Sequence, residues 1–302
     1  MKKRLPNFLI VGAAKSGTSS LHNYLNQHKD VFMPSYNNKG MKVKEPRFLI
    51  KDLVEHRLHN GVWSWEEYQS LFDSVKKEKA IGESTVLYLY YYEHSINNIK
   101  KYLGDDIKII IMLRNPIDRA YSAFQHVSRG FKEQYSFKQA LEIEEGRLDR
   151  NPELTPMVMY KDMGMYSEMV QAYKNSFENV HIILYEDFRD NTKEEMIKTF
   201  EFLELSKDEN IDFITQHNVG GKRWKNKNMK YIFMNQNPIK SLLKILIPKK
   251  IRDSFRKKLV NISTNKVVGM NEQTREKLKS IFKEDIQKLS KIINRDVTHW
   301  TK

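Results

Sequence analysis

Residues 8–25 carry the most restrictive pattern in the chain. The apolar run Phe8 to Val11 leads directly into Gly12-Ala13-Ala14-Lys15-Ser16-Gly17-Thr18-Ser19-Ser20, after which Leu21, Tyr24 and Leu25 recur at helical spacing. An unbroken apolar run of this length predicts a strand buried on both faces. The small residues and glycine predict a tight turn. Strand, glycine-rich loop and helix in that order bring backbone N–H groups and the positive end of a helix dipole to one point, which suits a phosphate or another oxyanion.

The same unit recurs. Ile107–Leu113 reads IKIIIML, apolar on both faces, and Arg114 follows, with Asn115 as a predicted N-cap and Pro116 at the first helical position. The helix so opened runs through Ala120, Tyr121 and Phe124. His181–Tyr185 predicts a third strand, followed by a helix over 193–203, and Ala80–Glu83 a further short strand. Strands alternating with helices predict an α/β fold: a P-loop-like, three-layer arrangement with a central, mostly parallel sheet flanked by helices. In such sheets ligands gather at the carboxyl ends of the strands. Leu278, Ile281, Phe282, Ile286, Leu289 and Ile293 predict an amphipathic C-terminal helix over Asn271–Ile293. Residues 1–302 read as a single domain, with a basic helical segment at about 230–260. Within it, SLLKILIPKKIRDSFRKKLV is broken at Pro248 and reads as a solvated basic face over a core stripe, with contact to an anionic acceptor or a membrane surface through 240–258 as the other reading.

Composition narrows the classes. The chain has 302 residues, 40% of them hydrophobic, which suffices for a sizeable core. Lys and Arg number 52 against 38 Asp and Glu, a net charge of +14 that draws anionic partners. There are no cysteines, which excludes disulfides and thiolate metal sites. The N-terminal apolar run is shorter than a signal-peptide core, and no stretch approaches the roughly 20 apolar residues of a membrane helix, so the expected location is cytoplasmic.

The order of residues in the first loop is informative. A nucleotide-triphosphatase loop reads G-x-x-x-x-G-K-[ST], with lysine after the second glycine; here Lys15 precedes Gly17. In this order the loop resembles the 5′-phosphosulfate loop of sulfotransferases that use 3′-phosphoadenosine 5′-phosphosulfate (PAPS), and the resemblance implies that Lys15, Ser16, Gly17, Thr18 and Ser19 bind that cofactor. Arg114-Asn115-Pro116-Ile117-Asp118-Arg119-Ala120-Tyr121-Ser122 is similar to the family's 3′-phosphate segment, with Arg114 at the strand end and Ser122 in the helix. A guanidinium fork suits a phosphate dianion. Asp118 and Arg119 read as a structural ion pair or packing pair.

Lys44-Glu45-Pro46-Arg47-Phe48 resembles the Lys-Glu-Pro-x-Phe segment of glycan sulfotransferases of the heparan sulfate type and their bacterial relatives, and so implies Glu45 as general base. Leu49 departs from that pattern, standing where many relatives have a second aromatic. Trp63-Ser64-Trp65 with Tyr68 and Phe72, then Gly82-Glu83-Ser84-Thr85, are similar to the family's middle section; the aromatic cluster reads as core, with stacking on a sugar face as the other reading. In Asn218–Trp224 the resemblance implies a basic loop closing over the cofactor, with Lys222 and Arg223 on the 3′-phosphate. His22 and His126 are alternative bases by analogy with steroid-type enzymes, but neither lies in a matching motif.

The expected function is in-line transfer of a sulfuryl group from PAPS to a hydroxyl or amine of a saccharide or lipid-linked sugar, with Glu45 and Lys15 catalytic, 3′-phosphoadenosine 5′-phosphate (PAP) as product, and no metal and no nucleic acid involved. Two other readings are a P-loop nucleoside or small-molecule kinase and a basic nucleic-acid-binding protein, the latter marked by steeply salt-dependent binding.

Overall fold

Five strands, all parallel, form the central sheet: β1 (Phe8–Gly12), β2 (Val31–Phe32), β3 (Ala80–Ser84), β4 (Lys108–Leu113) and β5 (Val180–Leu184), in the spatial order β2-β3-β1-β4-β5. The computed structural model describes residues 4–35, 40, 43–129, 133–207, 211–213, 222–224, 264–266 and 269–302.

Side-chain alternation along the strands builds the three layers. Phe8 and Ile10 of β1, with Ile110 and Met112 of β4, face a cluster completed by Leu21, Tyr24 and Leu25 of the Thr18–Leu25 helix and by Met196 and Phe200 of the Thr192–Phe202 helix. Leu9 and Val11, with Ile109, Ile111 and Leu113, face the opposite cluster, where the helices Tyr92–Tyr102, Pro116–Arg129, Tyr166–Ser176 and Glu272–Ile292 pack. Both central strands are thus covered on both faces, which explains their unbroken apolar runs. Parallel pairing of β1 with β4, in register Leu9↔Ile109, brings the residues after both strands to the same edge of the sheet.

Local sequence sets the element boundaries. The amide of Ile117 donates to Asn115 Oδ1 at 2.9 Å, so Asn115 caps the helix that Pro116 opens, as predicted. Asn271 accepts from the amide of Thr274 and starts the C-terminal helix. One buried residue of that helix, Asp285, accepts from the amides of Tyr166 (2.8 Å) and Ser167 (3.1 Å) and so caps a second helix across the core. The third strand ends one residue earlier than expected: Tyr185 opens the helix Tyr185–Asp190, whose first turn carries Glu186 and Asp187 against the positive end of the helix dipole.

One departure concerns the region after residue 213. Lys222 and Arg223, predicted in a loop, lie on strand β6 (Lys222–Trp224), which pairs antiparallel with β7 (Thr264–Lys266) in a separate ribbon. The backbone of β6 runs close beside the Pro116–Arg129 helix. The basic segment at 230–260 lies outside the described residues, and with it the predicted acceptor or membrane contact of 240–258. Among the described residues no helix is long and apolar enough to cross a membrane.

Candidate active site

The first loop wraps the carboxyl end of β1. Gly17 adopts φ +94°, a conformation L residues rarely take, and a Cβ there would sit 3.0 Å from the ring of Tyr185. Lys15 is itself left-handed at φ 73°. Together these turns aim the start of the Thr18–Leu25 helix into a cleft of about 930 Å³ lined by Lys15, Gly17, Thr18, Ser19, Glu45, Arg114 and Ser122, among others. Ser16 does not line it: its side chain is fully buried, so the part of this residue left to meet a ligand is its backbone.

The end of β4 meets the loop directly. Arg114 Nη1 donates to the carbonyl of Lys15 at 3.2 Å, and the guanidinium lies over the ring of Tyr185, 4.6 Å from its centroid. The carbonyl of Arg114 accepts from Tyr166 Oη at 3.1 Å. Anchored in this way, the fork keeps donor groups for an anion in the cleft. The neighbouring pair Asp118 and Arg119 does not form. Asp118 turns to Arg275 at 2.8 Å, whereas Arg119 is fully buried and donates to the carbonyl of Tyr160. Adjacent positions on a helix point about 100° apart, so one faces the cleft and the other the core.

Glu45 enters from a third direction, on the turn before the 3₁₀ helix Phe48–Ile50. Its carboxylate pairs with Arg47 Nη2 at 3.1 Å and with Lys44 Nζ at 3.7 Å. It also acts electrostatically on Lys15, which places carboxylate and ammonium in one field.

The Pro116–Arg129 helix supplies more than the motif residue Ser122. Gln125, His126 and Arg129, which no motif contains, line the cleft with it at the spacing of one helix face. That face was readable from Ser122 onward by counting three, four and seven residues; only the absence of a motif hid it. Burial, then the charges of Arg129 and Arg114, lowers the pKa of Lys15 from 10.5 to about 8. Burial likewise lowers Arg129. His126, although open to the cleft, is pushed down to about 4 by desolvation and by the charges of Lys15 and Arg129, and is therefore neutral at pH 7. His22 is buried away from the cleft.

An ammonium whose charged form is disfavoured by burial and by two neighbouring guanidiniums sits in an environment that favours incoming negative charge. The aromatic residues Trp63, Trp65, Tyr68 and Phe72 belong to the core: Phe48 stacks on Tyr68 at 4.8 Å, and Tyr68 and Phe72 are buried. Leu49 is wholly buried, so its departure from the aromatic pattern is a change in packing.

Comparison with known proteins agrees with this geometry. The sulfotransferase domain profile matches residues 5–291. Carbohydrate sulfotransferase 15 of Homo sapiens is 26% identical over 253 residues, 67% of this chain and 44% of that protein. The chain therefore spans less than half the length of that relative. Bifunctional heparan sulfate N-deacetylase/N-sulfotransferase 1 of Homo sapiens is 27% identical over 131 residues, 41% of this chain and 13% of that protein. Among solved structures, a sulfotransferase from Alicyclobacillus acidocaldarius superposes with a TM-score of 0.71 at 28% identity, over 99% of this chain and 100% of that one. Sequence and backbone agree over nearly the whole length, and the chain belongs to the sulfotransferase domain family.

Proposed function

We propose that this protein transfers a sulfuryl group from PAPS to a hydroxyl or amine of a saccharide. The observation that carries the reading is the junction of Lys15 and Arg114 across the ends of β1 and β4, with Glu45 in the same electrostatic field. The cradle fits such a ligand: a left-handed glycine opens the helix, a half-buried lysine has its charge disfavoured by burial and by two arginines, and an arginine fork is stacked in place. A saccharide acceptor is supported by the relatives named for carbohydrate and heparan sulfate.

Bound PAPS supplies the sulfuryl group and a good leaving phosphate. In this reading Glu45 takes the proton of the acceptor hydroxyl or amine, and Lys15 with the loop amides and Thr18 and Ser19 stabilises negative charge on the sulfuryl oxygens and the departing 5′-phosphate. Arg114 and Ser122 hold the 3′-phosphate. Lys222 and Arg223 join them from β6, a role supported by the nearness of that strand's backbone to the helix carrying Ser122. The protein's contribution is chiefly positioning and charge stabilisation, as in phosphoryl transfer.

Calorimetry with PAP, adenosine 5′-monophosphate and ATP tests the donor. Loss of the charge-assisted bonds to the 3′-phosphate is expected to weaken the monophosphate by about 10- to 100-fold relative to PAP. ATP binding more tightly than PAP would instead favour a kinase. Transfer of labelled sulfate from PAPS to glycosaminoglycan fragments then tests the acceptor class.

The lowered pKa of Lys15 gives a signed pH effect. An anion beside the ammonium favours its charged form, so PAP binding is expected to take up a proton near pH 8, and affinity to fall as pH rises through about 8. Calorimetry in two buffers of different ionisation enthalpy measures that proton; release or no exchange would contradict the assignment.

A further inference from the structure

Behind the Glu45 turn lies a carboxylate that the reaction does not touch. Glu83, on β3, is wholly buried and faces the same cluster as its register partner Leu9. Three hydroxyls surround it: Thr85 Oγ1 donates at 2.5 Å, and Tyr68 Oη and Tyr88 Oη each at 3.1 Å. Two of those hydroxyls accept in turn from backbone of the Glu45 turn. The amide of Arg47 donates to Thr85 Oγ1 at 3.2 Å, and the amide of Leu49 to Tyr88 Oη at 3.3 Å. Between these tethers the turn is strained, with Arg47 left-handed at φ 61°, a conformation that persists only where surrounding bonds enforce it.

We propose that Glu83 is a positioning residue, which through the hydroxyls of Thr85 and Tyr88 holds the Glu45–Leu49 turn against the phosphate loop. The inference rests on the reading of Glu45 as the base. Its chemistry is a matter of hydrogen-bond polarity. An ionised carboxylate only accepts, so each hydroxyl gives it a proton and turns a lone pair toward a backbone amide. A protonated carboxyl must itself donate to one of the three hydroxyls and accepts more weakly from the others, so Thr85 and Tyr88 are held less firmly whichever hydroxyl takes the proton. Both tethers are at full strength only with the charge present.

Burial pushes Glu83 up to about 7, against the opposing pull of the three hydroxyl bonds. Among the described residues, the titratable groups acting on it are Tyr68, Tyr88, Tyr173 and the carboxylate of Glu45. Its two consequences have opposite signs. Because the folded pKa lies above the unfolded one, the group's stabilising contribution is full below about pH 4.5 and is lost as pH rises through about 7. Turnover follows the tethers and declines as pH falls through the same value. A residue with a purely structural role would move stability and turnover together.

The experiment uses Thr85→Val, Thr85→Ser and Glu83→Gln in the full chain, with kcat for sulfuryl transfer, PAP affinity by calorimetry, and amide exchange at Arg47 as readouts. Thr85→Val is expected to lower kcat about 10- to 100-fold with PAP affinity changed by less than about twofold, and to speed exchange of the Arg47 amide. Thr85→Ser restores both. Glu83→Gln abolishes the acid limb of kcat near pH 7, leaving a lower rate without it. Unchanged kcat and exchange in Thr85→Val overturns the proposal, as does a loss of PAP affinity in parallel with kcat. Should Glu83→Gln fail to fold, the threonine pair decides. Full turnover in Glu45→Gln would remove the base assignment alone, since exchange at Arg47 reports the tether whichever group takes the proton.

Discussion

Lys15→Ala is expected to lower kcat/KM for sulfuryl transfer by about 10³-fold, with a drop in PAP affinity beside it. The ammonium lines the cleft at the phosphate loop, and it is held where burial and two arginines already disfavour it. A preorganised donor at the point where charge develops is worth about 10²- to 10³-fold in rate, and a charge-assisted bond to the ground-state phosphate adds to that in affinity. Arg114 donates to the carbonyl of residue 15, a backbone atom the substitution leaves in place, so the loop keeps its form. Steady-state kinetics with calorimetric PAP binding measure the effect. A loss below tenfold would mean that the loop amides alone carry the charge.

Glu45→Gln is expected to split binding from chemistry. Glutamine has nearly the shape of glutamate and retains one acceptor oxygen for Arg47, so PAP affinity is expected to stay within about twofold while kcat falls by about 10²- to 10⁴-fold, the usual worth of a general base. Arg47 and Lys44 hold the carboxylate on the cleft wall, and neither is a substitute proton acceptor. Turnover near the wild-type rate would reassign the role to another group on that wall, with neutral His126 the first to examine.

Much of this was legible in the sequence because buried parallel strands announce themselves. Phe8–Gly12 and Lys108–Leu113 are apolar on both faces, and both are followed by residues that only a tight anion-binding turn or a capped helix start would require. Those local rules placed Lys15 and Arg114 just past strand ends and Ser122 in the helix that follows, and the parallel sheet brought the strand ends together. What escaped was long-range. The inward turn of Ser16 depends on how the loop folds back on the core, and the separation of Asp118 from Arg119 depends on Arg275, far along the chain. Arg129 and His126 belong to no motif; they reach the cleft because the helix opened at Pro116 continues through them. Glu83 looked like part of a short apolar strand, and nothing nearby in sequence showed that two tyrosines and a threonine converge on it.

The Pro116–Arg129 helix has an evolutionary corollary. From Ser122 to Arg129 it rises about 10 Å, so a single rigid rod carries Ser122, proposed to hold the nucleotide, and Arg129, whose charge acts on Lys15, along one wall of the cleft. Ala120 and Ala123, on its buried side, set how closely that rod lies on the core. Enlarging either would tilt both ends at once, so drift toward a new acceptor has freer rein in the loops than along this rod, where every adjustment also shifts Ser122 and with it the proposed hold on the nucleotide.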